Sequence, residues 1–538
     1  MTPPRHRFAP AAALFLGFFP AALAAQAVSE NHTLHKPSLE VLAQFGESLD
    51  ISGDVVVLST DQDQNPVGLG EVYVFRFDPA TDTWSFEQQL NYDPAVGCGG
   101  TCHFGHTVSV SGDRVVVGVP HDEPLGFFMA GSTYVFRYDP QRGVWDQEAH
   151  LLSPYNVEDF NHNGQSNDID GDLLVTAANR WNDPALGMEN WEGAAFVYRF
   201  DGQTWQLEDI LHASDGEENA RFGMHVAVSG DWIVCGAPAQ DSSWTYVSDG
   251  SASGAAYLYH YDAMTGTWTE TQKIPFHGVN DITQFGVPVA LQDDVLVIGA
   301  PVNDLNGQPH AGGAHVYRLD PATNTWNYEQ FLAPSLADQG EDYGAWVALD
   351  GSQIAVAGWM DSSQALLAGS VTLFEYDFQT GVWNETRVFT ASGLQPFDML
   401  GWDVALDAGR LVAGARGTDD GGVTDAGVAY VYHVPRFYVD PDPLPAGGFA
   451  TAELWDAPPF SGTFLAGSIA GRGSTPVPSL NATLDLQNPV QVGSLSITNQ
   501  VGRASWDFFV PASLSGMPVW FQAIQDGWTS MVIESSVQ

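Results

Sequence analysis

The sequence predicts an all-β protein: a seven-bladed β-propeller of four-stranded antiparallel blades, followed by a small C-terminal β-sandwich. Three regularities lead there. A flag glycine recurs at Gly46, Gly105, Gly164, Gly223, Gly286, Gly344 and Gly401, at intervals of 59, 59, 59, 63, 58 and 57 residues. Four apolar runs recur within the copies, and a tight Gly-Asp turn separates the first two in four of them. A long fixed period with strand-like content signals a propeller or array, and four antiparallel strands per period make one blade.

The order within a copy is constant. The first run alternates, as in Thr107-Val108-Ser109-Val110, which is the pattern of a half-buried strand. The turn follows at Gly53-Asp54, Gly112-Asp113, Gly171-Asp172 and Gly230-Asp231, a strong hairpin signal. A solid apolar run such as Val115-Val116-Val117 comes next, then a long polar loop. The third run is of the type Tyr73-Val74-Phe75, and the fourth opens on Trp84, Trp145, Trp205, Trp268, Trp326 or Trp383. A large ring recurring at one slot per blade is expected to pack between blades rather than form a sugar platform.

The chain ends depart from the repeat. Arg5, His6 and Arg7 precede an apolar stretch from Phe8 to Leu23, and Ala25-Gln26-Ala27 offers a small-x-small cleavage site. Residues 1–27 therefore read as a signal peptide, and the mature protein as secreted, extracellular or cell-surface. No later stretch is long and apolar enough to make a transmembrane segment. The seventh copy stops at His433-Val434-Pro435 without its Trp strand. In later copies Trp precedes the flag aromatic by 17 residues, and an apolar residue follows Trp by six. Counting back from Phe45 puts Val28 in the Trp slot and Leu34 in the apolar slot. The N-terminal segment is thus expected to close the ring, giving a propeller over 28–435. After Asp440-Pro441-Asp442-Pro443 the flags are lost, and short alternating runs suggest the sandwich over 436–538.

The residue before the flag glycine is aromatic in five of seven copies (Phe45, Phe104, Phe222, Phe285, Tyr343). Gly236-Ala237-Pro238 and Gly299-Ala300-Pro301 follow 13 residues after their flag glycines. From Phe45 to about Val434 the chain resembles the FG-GAP repeats of integrin α subunits, of which many bacterial exported proteins carry a variant. The resemblance implies a propeller and a binding or cell-adhesion role. It also implies calcium in copies with an Asp-x-Asp-x-Asp-Gly loop between the two flags. Here that interval is 13 residues in every copy, which leaves a tight turn and no ligand loop. No cofactor is expected, apart from calcium at one degenerate loop. There Asp159, Asn161 and Asn163 alternate as in a calcium loop and Asp168 could close it. The competing reading is that Asn163-Gly164 is a worn Phe-Gly flag.

Composition narrows the partners. The chain has 65 Asp+Glu against 18 Lys+Arg, a net charge of −47. Nucleic acid is not expected as a partner, because neutralising phosphates needs basic patches. Cys98 and Cys102 flank Gly-Gly-Thr and are expected to form a local disulfide in an oxidising compartment. Cys235 is expected to be a buried, unpaired thiol. The long loops after the second strands carry one aspartate each: Asp63, Asp122, Asp183, Asp241, Asp304, Asp361 and Asp419. Such side chains bond nearby amides and shape turns. As a ring they would also attract a cation or basic ligand. Trp181, Trp191, Trp244 and Trp359 lie in the same loops, and the eleven residues together form the candidate ligand-binding set. No catalytic signature is found: there is no Gly-x-Ser-x-Gly elbow, His-Glu-x-x-His or phosphate loop. The expected function is an exported binding or adhesion scaffold that presents seven loops to a protein or glycan. The alternatives are a secreted propeller enzyme acting on carbohydrate or phosphoester substrates, and a structural envelope component.

Overall fold

The computed structural model describes residues 26–536 except 39, 61–68, 92–101, 155–157, 183–191, 217–219, 239–251, 277–281, 305–307, 336, 378–379, 435 and the short stretches between strands after residue 440. Residues 1–25, most of the expected signal peptide over 1–27, lie outside the described residues. Seven four-stranded antiparallel blades follow one another in a ring. Blade 1 is Phe45–Ser52, Val55–Thr60, Glu71–Asp78 and Thr83–Leu90; blade 2 is Thr107–Ser111, Arg114–Val119, Ser132–Asp139 and Val144–Leu152. Blade 3 is Asn163–Asp170, Leu173–Ala178, Ala194–Phe200 and Trp205–Leu211; blade 4 is His225–Ser229, Trp232–Ala237, Ala252–Asp262 and Thr267–Pro275. Blade 5 is Val289–Gln292, Val295–Gly299, Ala314–Asp320 and Thr325–Leu332; blade 6 is Trp346–Asp350, Gln353–Gly358, Ser370–Asp377 and Val382–Phe389. Blade 7 takes Leu400–Asp407, Arg410–Ala415 and Val428–His433 from the repeats, and His32–His35 from the N-terminus.

The second strand is buried along its whole length in blades 1 to 6. That is why its sequence runs solidly apolar: a neighbouring blade covers each face. Seven hydrophobic clusters fill the seven gaps between blades, and the flag aromatics sit in them at 0–1 % exposure. The spacing of the two flags now has a cause. A Cβ on Gly236 would lie 1.9 Å from the carbonyl oxygen of Gly286, the flag glycine of the next blade. The same clash arises between Gly118 and Gly164 at 2.1 Å. Each flag glycine presses its carbonyl into the preceding blade, so a bare backbone or a small side chain is needed there.

Side chains bridge the blades at both rims. On the innermost strands they accept backbone N–H groups of the next blade. Val108 and Val110 donate to Ser48 and Asp50 at 3.2 and 2.7 Å, and Val226 and Val228 to Ser166 and Asp168 at 3.0 and 2.7 Å. Leu49 donates to Asp403 at 2.8 Å across the seam between blades 7 and 1. Burial pushes the Asp168 carboxyl up to about 6 and that of Asp403 to about 7, against the pull of these donors. At the outer rim the repeated tryptophans pack between blades, as their recurrence at one slot predicts. Trp145 and Trp205 are 3 % and 8 % exposed, and their indole N–H groups donate to Glu87 and Glu148 of the preceding blade at 2.9 Å. The Gln88 amide meanwhile brackets the Trp145 backbone with two bonds of 2.8 Å.

Closure of the ring follows the expected register in one half only. Leu34 pairs with Ala429 in blade 7, as Leu211 pairs with Ala195 in blade 3. Val28 does not take the Trp slot. Gln26–Val28 instead lies parallel to the outer strand of blade 6, with Val28 beside Phe389. Strands after residue 435 pair among themselves. Arg436–Asp440, Phe449–Trp455 and Ala504–Phe509 form one sheet, and Val490–Ile497, Gly462–Ser468 and Pro518–Gln525 lie in another. Leu454, Leu465, Trp506 and Phe521 belong to a core separate from the blades.

Candidate functional site

Loops joining second to third strands lie on the same side of the disc as the connections into the next blade, so this side gathers the long segments. Four of the seven slot aspartates are described there, and they do not form an exposed ring. Asp122 and Asp361 are 2 % and 3 % exposed. Asp122 accepts the Ser132 hydroxyl and the Glu123 N–H, and Asp361 accepts the Tyr343 hydroxyl at 3.0 Å. Both anchor the base of their loops. Asp304 accepts the His310 N–H and Asp419 the Asp425 N–H, each at 3.0 Å and each across six residues. Each of the four therefore shapes its own loop, and only Asp419 among them is also exposed at a cavity. Asp63, Asp183 and Asp241 lie outside the described residues, as do Trp191 and Trp244.

Trp181 is not a surface aromatic. It is 2 % exposed, edge-on to Phe196 and stacked on His212 with centroids 5.2 Å apart, so it packs beneath its loop. Trp359 is half-buried and meets Trp402 edge-to-face at 5.0 Å. The Arg416 guanidinium covers Trp402 and pairs with Glu47 at 2.8 Å. The proposed calcium residues serve separate contacts. Asp159 accepts the Phe128 N–H, and buried Asn163 donates to the Leu151 carbonyl from the flag slot. Asp168 lies farther along the strand and bonds blade 4. Cys102 is disulfide-bonded and Cys235 is a free buried thiol; Cys98 lies outside the described residues.

The FG-GAP repeat family is matched over residues 205–259, 268–317 and 383–432. Each match starts on an outer Trp strand and ends on the third strand of the next blade. The chain is a seven-bladed β-propeller that carries FG-GAP repeats at three positions. An FG-GAP unit is thus offset by one strand from a blade, which leaves the last blade short of a strand that the N-terminus supplies. No curated protein matches the chain. Among solved structures, a putative 6-phosphogluconolactonase from Bacteroides uniformis is similar at 11 % identity and a TM-score of 0.43, over 66 % of this chain and 88 % of its own. A periplasmic gluconolactonase from Pseudomonas aeruginosa is similar at 11 % identity and 0.41, over 64 % and 85 %. These likenesses transfer neither residues nor activity to the FG-GAP chain.

Among the described residues, a recessed site lies at the closure of the ring. A cavity of about 280 Å³ opens between the N-terminal strand, the segment entering blade 7 and the long loop of blade 7. Four carboxylates line it: Glu30, Asp398, Asp419 and Asp420. Glu30 accepts the Ser392 N–H at 2.8 Å, Asp398 the Gln395 N–H at 2.7 Å, and Asp420 faces His35 at 2.8 Å. Burial, then the charges of Asp419 and Asp425, hold the Asp398 carboxyl above its ordinary range. The group is poised to gain from a cation. Only Asp419 of the residues expected from sequence belongs to it. Glu30 and His35 are missed because the N-terminal strand reads only as a closing element; the Asp419-Asp420 doublet was the available signal.

Side chains of the innermost strands meet one another inside the ring. His225 of blade 4 meets Trp346 of blade 6 edge-to-face at 5.6 Å, and burial pushes His225 down to about 4. On blades 2 and 3, His103, His121 and His162 form a chain of rings with centroid separations of 4.2 and 5.1 Å. Burial, then the charges of Arg180, His121, His106 and Arg221, push His162 down to about 3. The carboxylates, by contrast, gather at the closure.

Proposed function

We propose that this FG-GAP propeller is an exported binding scaffold that holds a protein partner on its loop face. The acidic cavity at the ring closure takes a basic side chain of that partner. The four-carboxylate cavity carries the reading, because like charges drawn together and partly buried are relieved by a cation. Polar loops on a rigid ring are where binding residues concentrate. The enzyme alternative with carboxylates at the channel finds less support, since Asp50, Asp168 and Asp403 are engaged by neighbouring N–H groups. The 436–538 segment, taken as a small β-sandwich, is assigned as an attached module.

The test is binding of an Arg/Lys-rich peptide and an acidic peptide of equal length to the mature chain. The basic peptide is expected to bind with an affinity that falls with salt, and at least about tenfold more weakly to Asp398→Asn with Asp419→Asn. Unchanged binding in that variant, or loss confined to Asp113 and Asp231 in the tight turns, would place the partner elsewhere. Turnover of a sugar or phosphoester would favour the enzyme.

A further inference from the structure

On the opposite, tight-turn side of the same seam, three side chains from three places in the chain converge. His32 comes from the N-terminal strand, His433 from the end of the third strand of blade 7, and Asp82 from the outer hairpin of blade 1. Their nearest ligand atoms all lie within 4.8 Å of one another. His32 Nε2 is 3.6 Å from Asp82 Oδ1, and His433 Nε2 is 3.9 Å from the same oxygen. Two ligand atoms of a tetrahedral zinc site with bonds of about 2.0–2.1 Å stand roughly 3.3–3.5 Å apart. The two His–Asp separations need to contract by only a few tenths of an ångström to reach that spacing, and small rotations of the two imidazoles about their side-chain bonds would bring both nitrogens onto one ion.

We propose that His32, Asp82 and His433 bind one transition-metal ion of the zinc class, with the fourth position open to water, and that the ion staples the ring shut. Two imidazoles and a carboxylate suit such a borderline ion better than calcium or magnesium, which require oxygen ligands. His32 Nε2 is buried and has no hydrogen-bond partner, so a ligand is lacking at that atom. Asp82 is half-exposed, which gives an ion a way in.

The repeat supplies its own control, because two of the three residues depart from it. The His433 slot holds Arg76, Arg137, Arg199 and Arg318 in blades 1, 2, 3 and 5. Each of those arginines pairs with a glutamate of its own outer strand. The Asp82 slot, two residues before the Trp, holds Gly143, Gly266 and Gly381 in blades 2, 4 and 6, and Asn324 in blade 5. Its φ of 52° explains that preference for Gly and Asn. Arg410 is the neighbouring cation; it stacks on Phe77 at 4.2 Å and donates to the Gly53 carbonyl. At this seam the repeat's Arg–Glu pair is replaced by groups that ligate.

The experiment titrates Zn(II), and Co(II) as a spectroscopic substitute, into the tag-free mature chain, and repeats this for Asp82→Asn and His433→Arg. Both substitutions restore residues that other blades carry at the same slots, so both variants are expected to fold. The expected result is one ion per chain, visible Co(II) absorption of tetrahedral type, and a metal-dependent rise in melting temperature. Binding should weaken at least about tenfold in each variant, since even outer partners of a metal site are worth that much, and excess calcium should not compete. Absence of saturable Zn(II) binding would overturn the proposal, leaving a His–Asp ion pair only. Equal binding in both variants would also overturn it and would move the ion to another site, such as the His103–His121–His162 chain.

Discussion

Blade 3 and blade 7 are built on the same plan, yet one is a single stretch of chain and the other is assembled from two. In blade 3 the outer strand Trp205–Leu211 runs seven residues, with Trp205 wedged against Phe200 at 5.4 Å. In blade 7 the outer strand is His32–His35, four residues long, and its Trp slot is not filled by Val28. Leu34 and Leu211 occupy equivalent positions and are equally buried, at 3 %. The difference teaches that closing a repeat ring needs one well-seated apolar residue in register. The rest of the closing segment is then free to take up other contacts. Here it lies beside blade 6 and supplies Glu30 and His35 to one face of the seam and His32 to the other.

The hardest way to break the comparison is to remove the closing segment. A chain beginning at Leu39 leaves the third strand of blade 7 as an unpaired edge and uncovers the cluster between blades 7 and 1. It is expected to be insoluble or to melt far below the mature protein; an equal melting temperature would mean that His32–His35 contributes nothing to closure.

A gentler change compares the two leucines directly. Leu34→Ala and Leu211→Ala should each cost about 2–5 kcal/mol, the usual range for emptying a buried leucine site. Only the first should make residues 28–38 readily cut by protease, because the short His32–His35 strand is the part of that segment that pairs within blade 7. Matching proteolysis in both variants would show that blade 7 is as continuous in effect as blade 3.

The smallest expected effect lies at the inner rim, where the two blades exchange chemistry. Asp403 of blade 7 accepts the Leu49 N–H in the slot where blade 3 uses Ser166 to accept Val226. Its carboxyl is raised to about 7, so the folded ring holds a proton that the unfolded chain releases near 4. The stabilisation is therefore complete below about pH 4 and is lost as pH rises through about 7. Unfolding free energies measured between pH 5 and 8 should fall with rising pH by an amount on the order of at least 1 kcal/mol. Asp403→Ser should reduce that fall and leave the part set by Asp168 at about 6 and by Asp50, whose carboxyl burial also raises. An unchanged pH profile would show that Asp403 does not titrate in this window.

Much of the fold is legible in the order of residues along the chain. The glycine period, the solid second strands and the Trp slot are local signals, and each one finds its blade. The candidate site is legible only in part. Asp419 is marked by its slot, but nothing in the slot distinguishes it from Asp122 and Asp361, which point inward to Ser132 and Tyr343. Trp181 resembles the other loop tryptophans in sequence, and only the enclosing Phe196 and His212 set it apart.

The sequence by itself determined the number of blades, the strands within each and the spacing of the two flags. These depend on backbone periodicity and on contacts that every copy repeats. Tertiary structure alone decided where Val28 goes, which loop residues are buried, and that His32, Asp82 and His433 meet. Those outcomes turn on where the ring closes, and there residues about 50, 350 and 400 positions apart along the chain become neighbours. A repeat encodes the contacts of one copy with the next; the seam joins the last copy to the first, and no periodicity along the chain describes that junction.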